Sequence, residues 1–469
     1  MFTKVIYIAL LFLLAGCAPL PAKPGFSDVQ SLVGARMSEP IAWRQSDSER
    51  IAHQAQVTEQ LKSPLTLAAA LRIALINNPR LQASFEKLGM DFGDLIQAGL
   101  PPNPSLGISL RSSSVGVGRE FSLVQDVLSL LTLAPRKRLA TSLFEQTKLE
   151  TAEQVLQLAT EVKKAYFVAH AQRDAFELAQ SATGIGAAAA ELAERQYQAG
   201  NIGKRELALQ QEFHARAVLE SAKKQLAAAE SREQLSQALG LSSGQRTWQL
   251  AASTPPPSDE IPELSVLEAK ALAERYDVAA AKKRIERSAD ALGIANRFRY
   301  LSVLGLGVSY SRETDGERVR GPQVELGLPL WDRGQGNRLR MESELRASER
   351  NLEARALDTI GDVRNAHARW SNARQAIQHY RNTLLPLHER IVAETLKFYN
   401  GMLLGVYDLL LARQNQFNAQ GDYIEAIKSY WLAKADLERA TGGGTLGAPT
   451  HVDEPAPKPE PPPAEHQHH

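Results

Sequence analysis

The chain contains its own copy, and that duplication constrains its architecture more than any other feature. Asn78-Pro79-Arg80-Leu81-Gln82-Ala83 aligns with Arg275-Tyr276-Asp277-Val278-Ala279-Ala280 at an offset of 197, and the same register brings Ser105-Leu106 onto Ser302-Val303. Further on, Tyr197-Gln198-Ala199-Gly200 matches Phe398-Tyr399-Asn400-Gly401 at an offset of 201, and Gln237-Ala238-Leu239-Gly240 matches Arg439-Ala440-Thr441-Gly442 at 202. A period that drifts by a few residues marks duplicated architecture with small insertions. The copies run over residues 65–240 and 264–442, joined by a linker at 241–263 that carries Pro255-Pro256-Pro257. By length alone 469 residues suggest about three domains. The duplication replaces that expectation with one domain made of two similar halves.

Proline placement shows what fills each half. No proline occurs between Pro135 and Pro255, and only Pro386 lies between Leu330 and Ala448. Proline breaks helix interiors, so two stretches of more than a hundred residues are free to be helical. In the first, Val155, Leu158, Val162, Ala165, Ala169, Gln172 or Arg173, Phe176 and Ala179 step by threes and fours, a heptad-like seam with small side chains. A helix of 45 residues is about 68 Å long, wider than a compact domain, so such helices must pack side by side. Alanine-rich seams permit close approach and account for an aromatic content of only 6%.

Between the helical stretches each copy carries two alternating segments. In the second copy Leu304, Leu306, Val308 and Tyr310 point one way while Gly305, Gly307, Ser309 and Ser311 point the other. After a polar turn from Arg312 to Gly321, Val324, Leu326, Leu328 and Leu330 alternate with Gln323, Glu325, Gly327 and Pro329. The first copy repeats this with Leu106, Ile108 and Leu110, then Phe121 and Leu123. Strands of about 9–11 residues, apolar on one face and small or polar on the other, fit the wall of a transmembrane β-barrel. An ordinary half-buried hairpin gives the same alternation, and the sequence leaves both readings open. Four strands cannot close a barrel, for which about eight is the minimum, so a membrane role requires several chains to pool their strands. Basic and aromatic residues cluster at the strand ends: Arg136, Lys137 and Arg138, then Arg297, Arg299 and Tyr300, then Trp331. Such residues suit a membrane interface, or simply a solvated surface.

The N-terminus sets the compartment. Met1–Leu20 reads as a basic start, an apolar run from Val5 to Leu14, and small residues before the single cysteine. The run is shorter than the roughly 20 residues that span a bilayer. Leu14-Ala15-Gly16-Cys17 resembles the lipobox of bacterial lipoproteins, which makes residues 1–16 a signal peptide and Cys17 the lipidated N-terminus. Residues 17–64, with Pro19, Pro21, Pro24 and Pro40, are expected as an extended, lipid-anchored tether. One cysteine permits no internal disulfide, and 54 basic against 53 acidic residues leave no global field to attract nucleic acid.

In the order and duplication of these parts the chain resembles the TolC-type outer-membrane efflux protein family over about residues 60–445. The resemblance rests on the duplicated element starting at Asn78-Pro79, the strand pairs, and two paired segments, Gly200 to Leu207 and Gly401 to Leu410. It implies a mainly α fold with a small β part: long coiled-coil helices and four transmembrane strands per chain. Three chains would then form a twelve-stranded β-barrel in the outer membrane and a twelve-helix α-barrel across the periplasm. It further implies docking, through the helix tips, to a periplasmic adaptor protein and an inner-membrane pump. The lipoprotein N-terminus and Leu131 to Arg138 are most similar to branches that serve resistance-nodulation-division pumps, heavy-metal or drug exporters among them. One departure concerns the tips: Asp408 lies seven residues after Gly401, whereas Glu206 lies six after Gly200.

A passive duct needs a wet lumen, a gate and a docking surface. Gly200, Gly203, Gly401 and Gly405 interrupt the helical patterns as turns at the ends of helical hairpins would. Just beyond them stand Lys204, Arg205 and Glu206 in one copy and Tyr407 and Asp408 in the other, the candidates for an aperture ring closed by hydrogen bonds between helices. The plainer alternative is that they are solvent-facing helix caps. The tail from residue 443 is proline-rich and ends with His466, His468 and His469, weak candidates for metal binding in an otherwise inert segment. No His-Glu-x-x-His, Gly-x-Ser-x-Gly or phosphate-loop pattern is present, so neither an enzyme nor a cofactor beyond the lipid on Cys17 is expected. The competing class is a lipid-anchored periplasmic coiled-coil scaffold without channel activity, which would have no need of the strands.

Overall fold

A computed structural model describes residues 20–444 except 115, 253, 254, 256 and 258–261. The signal segment, Cys17, His466, His468 and His469 therefore lie outside the described residues.

Residues 20–64 are not an extended tether. They form helices α1 (Phe26–Gly34) and α2 (Asp47–Gln60). Phe26, Val29 and Val33 recur at helical spacing and are buried, as are Trp43 and Val57. The prolines flank these helices instead of interrupting them, and Ser46 caps α2 by accepting from the Glu49 N–H at 3.2 Å. The linker also has to be redrawn. Trp248 is 1% exposed, and Leu250 pairs with Leu65 in a parallel β-bridge, so the stretch after residue 240 belongs to the core.

The first copy comprises α3 (Leu67–Asn77), α4 (Pro79–Gly99), β1 (Ser105–Ser113), β2 (Gly116–Asp126), a short α5 (Val127–Leu131), α6 (Leu133–Gln198) and α7 (Lys204–Ala238). The second repeats it with α8 (Leu264–Glu274), α9 (Tyr276–Arg297), β3 (Leu304–Arg312), β4 (Arg318–Leu326), α10 (Gln335–His379), a π-turn (Tyr380–Leu384), α11 (Leu385–Asn400) and α12 (Val406–Ala440). Helix α6 has 66 residues, about 99 Å of continuous helix. Its counterpart runs from Gln335 to Asn400, the same 66 residues, but is widened at the π-turn. Pro386 explains the widening: it has no N–H to offer the Asn382 carbonyl, and the Leu385 N–H reaches back five residues to the Tyr380 carbonyl.

The two copies stay in register to the residue at their helix starts. Asn78 is the N-cap of α4 and Arg275 that of α9, at the offset of 197. The strands begin at Ser105 and Leu304, two residues later than the ungapped match to Ser302 implies. At the far turns the offset is 202. There Gly203 and Gly405 are the N-caps of α7 and α12, and Glu206 and Asp408 both occupy the third helical position. The equivalence of Gly200 with Gly401 is thereby corrected. Gly200 has φ +73°, and the residue that takes the same left-handed turn in the second copy is Met402, at φ +58°.

Aromatic residues, scarce overall, gather in one buried girdle to which the N-terminal helices and both copies contribute. Phe26 packs edge-on to Phe85 at 5.1 Å, and Phe167 stacks on Trp431 at 4.5 Å. Trp43, Trp370 and Tyr430 complete this girdle, each nearly inaccessible. An asparagine pair ties it to the helices: Asn77 donates to the Gly240 carbonyl at 2.6 Å and Asn78 to that of Ala238 at 2.9 Å. Gly240, at φ +70°, passes so close that a Cβ there would lie 2.9 Å from the Asn78 Cα. The long arms beyond use smaller contacts. Gly186 lets α6 approach α7 until a Cβ would sit 3.2 Å from the His214 Cα, and Thr183 donates across to the Ala217 carbonyl at 3.1 Å.

Candidate functional site

The four strands form one antiparallel sheet in the order β1-β2-β3-β4, so the two copies pair through β2 and β3. Register and alternation sort its side chains onto two faces. On one, Leu106, Leu123, Val308 and Pro322 lie in a single cross-strand row, and Ile108, Phe121 and Tyr310 in the next. On the other, Gly107, Ser122, Ser309 and Gly321 lie in line, with Ser109, Glu120 and Ser311 beyond them. Arg111 and Glu120 form a 3.0 Å ion pair on this polar face.

The apolar face is uncovered. Ile108 is 61% exposed, Val308 61% and Val324 67%, and among the described residues none of the long helices packs over them. That decides against the half-buried hairpin, in which one apolar face would rest on the protein's own core. Among the described residues no helix is long and apolar enough to cross a membrane, so the sheet is the element with an unshielded apolar surface.

Several expected interface residues collect where strands meet helices. Trp331 is 85% exposed, the one tryptophan of five outside the core. The Arg299 guanidinium lies over the Tyr300 ring at 4.3 Å, and Arg297 over Phe298 at 5.9 Å. Lys137 and Arg138 are exposed on the first turns of α6. Arg136 instead turns inward, where it donates to the Ser129 carbonyl at 3.0 Å and fastens α5 to α6.

At the opposite end of the arms all five aperture candidates are exposed. Asp408 accepts from the Gly405 N–H at 3.1 Å, and Glu206 turns back toward its own N-cap, Gly203. Arg205 approaches Glu206 at 3.7 Å. Among the described residues no hydrogen bond or ion pair joins Lys204, Arg205 or Glu206 to Tyr407 or Asp408, so the expected bonding between helices does not occur within one chain. Asp408 acts here as a helix cap, and Glu206 lies against the corresponding N-terminus. The tips also differ in character: Met402, Leu403 and Leu404 make the second one apolar.

Two sets of residues escaped the sequence reading. The first is a charged knot in the second copy, at the place where the first has its asparagine pair. Arg275, 4% exposed, chelates Asp277 at 2.8 Å and reaches Asp362 at 3.1 Å. Beside it Glu153 of α6 is pushed up to about 7, first by burial and then by the negative Asp277, against the pull of Arg275, Arg439 and Arg355. The second is at the hairpin end of the sheet. Strand β4 starts at Arg318, so the span taken as turn up to Gly321 is partly strand, and the turn proper is 313–317. The missed signal was parity: Arg318 and Arg320 continue backward the alternation of Val324 and Leu326.

A hairpin pair with one lipid-compatible face and one wet face, standing on arms about 99 Å long, defines a channel wall joined to a helical conduit. A sequence profile of the outer membrane efflux protein family matches residues 267–443, most of the second copy. The cobalt-zinc-cadmium resistance protein CzcC of Cupriavidus metallidurans is 26% identical over 447 residues, covering 92% of this chain and 99% of its own. The fold is shared with the Campylobacter jejuni outer membrane channel CmeC (TM-score 0.71, 16% identity, 89% of this chain and 92% of that one). It is shared also with CusC, described as undergoing transmembrane channel formation (TM-score 0.67, 16% identity, 81% and 92% covered). Over its second copy the chain matches the outer membrane efflux protein family, and over nearly its whole length it is similar to an efflux protein and shares the fold of outer-membrane channels. The scaffold alternative, which has no use for an uncovered apolar sheet, is not favoured.

Proposed function

We propose that three copies of the chain pool their strands into one barrel and their long helices into one tunnel, forming the exit duct of a tripartite efflux system. An inner-membrane pump would deliver the cargo through a periplasmic adaptor that docks on the tips around Gly200 and Met402. The observation that carries this is the sheet itself: four strands with an apolar face that no long helix among the described residues covers. Closing such a sheet against lipid takes more strands than one chain has. The polar face, lined by Gly107, Ser122, Ser309 and the Arg111–Glu120 pair, would hold water. No bond is made or broken in such a duct, and no cofactor is needed. The proposed covalent group is a lipid on Cys17, which would add an anchor in the outer membrane.

The cargo we propose is divalent metal ions, on the likeness to the cobalt-zinc-cadmium resistance protein. Glu206 and Asp408 suit cation passage. Each sits in the first turn of its helix, where the macrodipole favours a negative charge, and three-fold repetition would ring the aperture with carboxylates. The test is conductance in planar bilayers with Glu206→Ala and Asp408→Ala. Loss of cation preference in both is expected, and unchanged conductance and selectivity would remove these residues from the aperture. Restoration of cobalt, zinc and cadmium tolerance to a deletion strain tests the cargo; restored tolerance to organic toxicants alone would refute it.

A further inference from the structure

We propose that the hairpin end of the apolar face binds the phosphate groups of a phosphorylated glycolipid in the outer leaflet, through Arg119, Arg312, Arg318 and Arg320. The inference rests on the reading that this face meets lipid.

Arg119 stands opposite Arg312, and Arg312 opposite Arg318, so one cross-strand row on β2, β3 and β4 consists of arginines. Arg320 lies opposite Tyr310 in the neighbouring row of the same face. All four are exposed. Like charges directly opposite on adjacent strands destabilise a sheet, and three in line call for a counter-anion. Among the described residues the protein supplies none at this face. Glu120 is engaged by Arg111 on the polar face. In the turn, Glu313 accepts from the Ser311 hydroxyl at 3.0 Å and Asp315 from the Glu317 N–H at 3.0 Å. Among the described residues no carboxylate lies within ion-pair distance of the four arginines.

Their height fits the edge of a bilayer. A lipid-facing arginine costs about 2–4 kcal/mol at the midplane but only about 0–1 near the interface. From Arg312 to Leu304 the strand rises about 26 Å, or about 20 Å of height at a tilt near 40°, and Leu328 and Leu330 continue the apolar surface to Trp331. Phe121 and Tyr310, paired in the row just inside the arginines, hold the place of an aromatic girdle. The helices leave from the other end of the sheet, so the arginines face the leaflet away from the periplasm. Headgroups there in a Gram-negative outer membrane are phosphorylated glucosamines. A guanidinium fork pairs with phosphate bidentately, and adjacent strands about 4.8 Å apart let neighbouring arginines share one phosphate.

The test uses the full-length protein in neutral detergent, with retained lipid measured by native mass spectrometry for bis-phosphorylated, monophosphorylated and dephosphorylated lipid A. We expect the bis-phosphorylated form to be held at least about tenfold more strongly than the dephosphorylated one. R119Q/R312Q/R318Q/R320Q should bring that preference to within about twofold and R318Q/R320Q should lower it, while R111Q, at the same height on the polar face, keeps it. Equal retention of the dephosphorylated lipid, or an unchanged preference in both arginine variants, overturns the proposal. Equal competition by phosphatidylglycerol or inorganic phosphate overturns the assignment to the glycolipid. Pore formation by the wild type in planar bilayers is scored separately: pores without lipid selectivity refute this inference alone, whereas absence of pores refutes the duct.

Discussion

Moving a single arginine by one residue along β3 separates the two faces of the sheet. Val308 lies midway between Leu304 and Arg312, about 13 Å along the strand from either end, opposite Leu123 and Pro322. It is 61% exposed, so Val308→Arg sacrifices little packing within the protein, and its cost is that of placing a guanidinium in hydrocarbon. That cost is about 2–4 kcal/mol at the midplane, or roughly 30- to 900-fold in the folding equilibrium per chain. Ser309 is opposite Ser122 and Gly321 on the polar face, where an arginine stays hydrated and costs within about 0.5 kcal/mol. Ser309→Arg should insert normally but carry less cation current, because a positive charge is added to the lumen. Urea unfolding in liposomes gives the first comparison and planar-bilayer conductance the second. Equal destabilisation by the two variants, or normal stability of Val308→Arg, would refute the assignment of faces and with it the barrel.

Four further substitutions test the body of the protein. Glu153 has its pKa raised to about 7 from 4.5, so the folded state takes up a proton more readily than the unfolded one between those values. Its contribution to stability falls as pH rises through that window; Glu153→Gln should therefore stabilise by up to about 3 kcal/mol above pH 7 and by nothing below pH 4.5 in thermal unfolding. Arg275→Ala leaves Asp277 and Glu153 with only the weaker pull of Arg355 and Arg439 and should destabilise by about 3–5 kcal/mol at neutral pH, with much of the loss recovered in acid. Gly240→Ala combines left-handed backbone with a Cβ 2.9 Å from the Asn78 Cα, whereas Gly200, also left-handed, has open space around it. In denaturant titration the first should cost more than the second, which bears only the backbone term of about 1 kcal/mol.

What could be read from the sequence depended on how far apart the decisive partners lie. The long helices follow from local propensity and an absence of proline, and Asn78 and Arg275 mark the same helix start in both copies because an N-cap is a local event. Strand parity is equally local, so Leu106, Ile108, Leu306 and Val308 were sorted onto one face without any structure. Residues 20–64 failed the same reading. Four prolines suggest an extended chain, but burial of Phe26, Val29 and Trp43 against Phe85 and Phe144 is set by residues tens of positions away. The tips failed for a subtler reason: glycines were matched to glycines, whereas the left-handed residue in the second copy is Met402. The charged knot has no sequence signature, since Glu153, Arg275 and Asp362 meet only when α6, α9 and α10 pack.

The seating of the N-terminal helices also fixes a length. Gly25 is wedged against Phe144, and Lys148 holds Asp28 at 2.7 Å, so the chain is pinned eleven residues, about 17 Å of helix, below the start of α6. Eight peptide steps lead from Cys17 to Gly25, a reach of at most about 26–29 Å. The slack left to the proposed acyl anchor in meeting the periplasmic leaflet is therefore at most about three residues. Helix α1 acts as a depth stop: shortening the segment between Cys17 and Gly25 by more than that slack would force a choice between unseating α1 and drawing the barrel out of its level in the membrane.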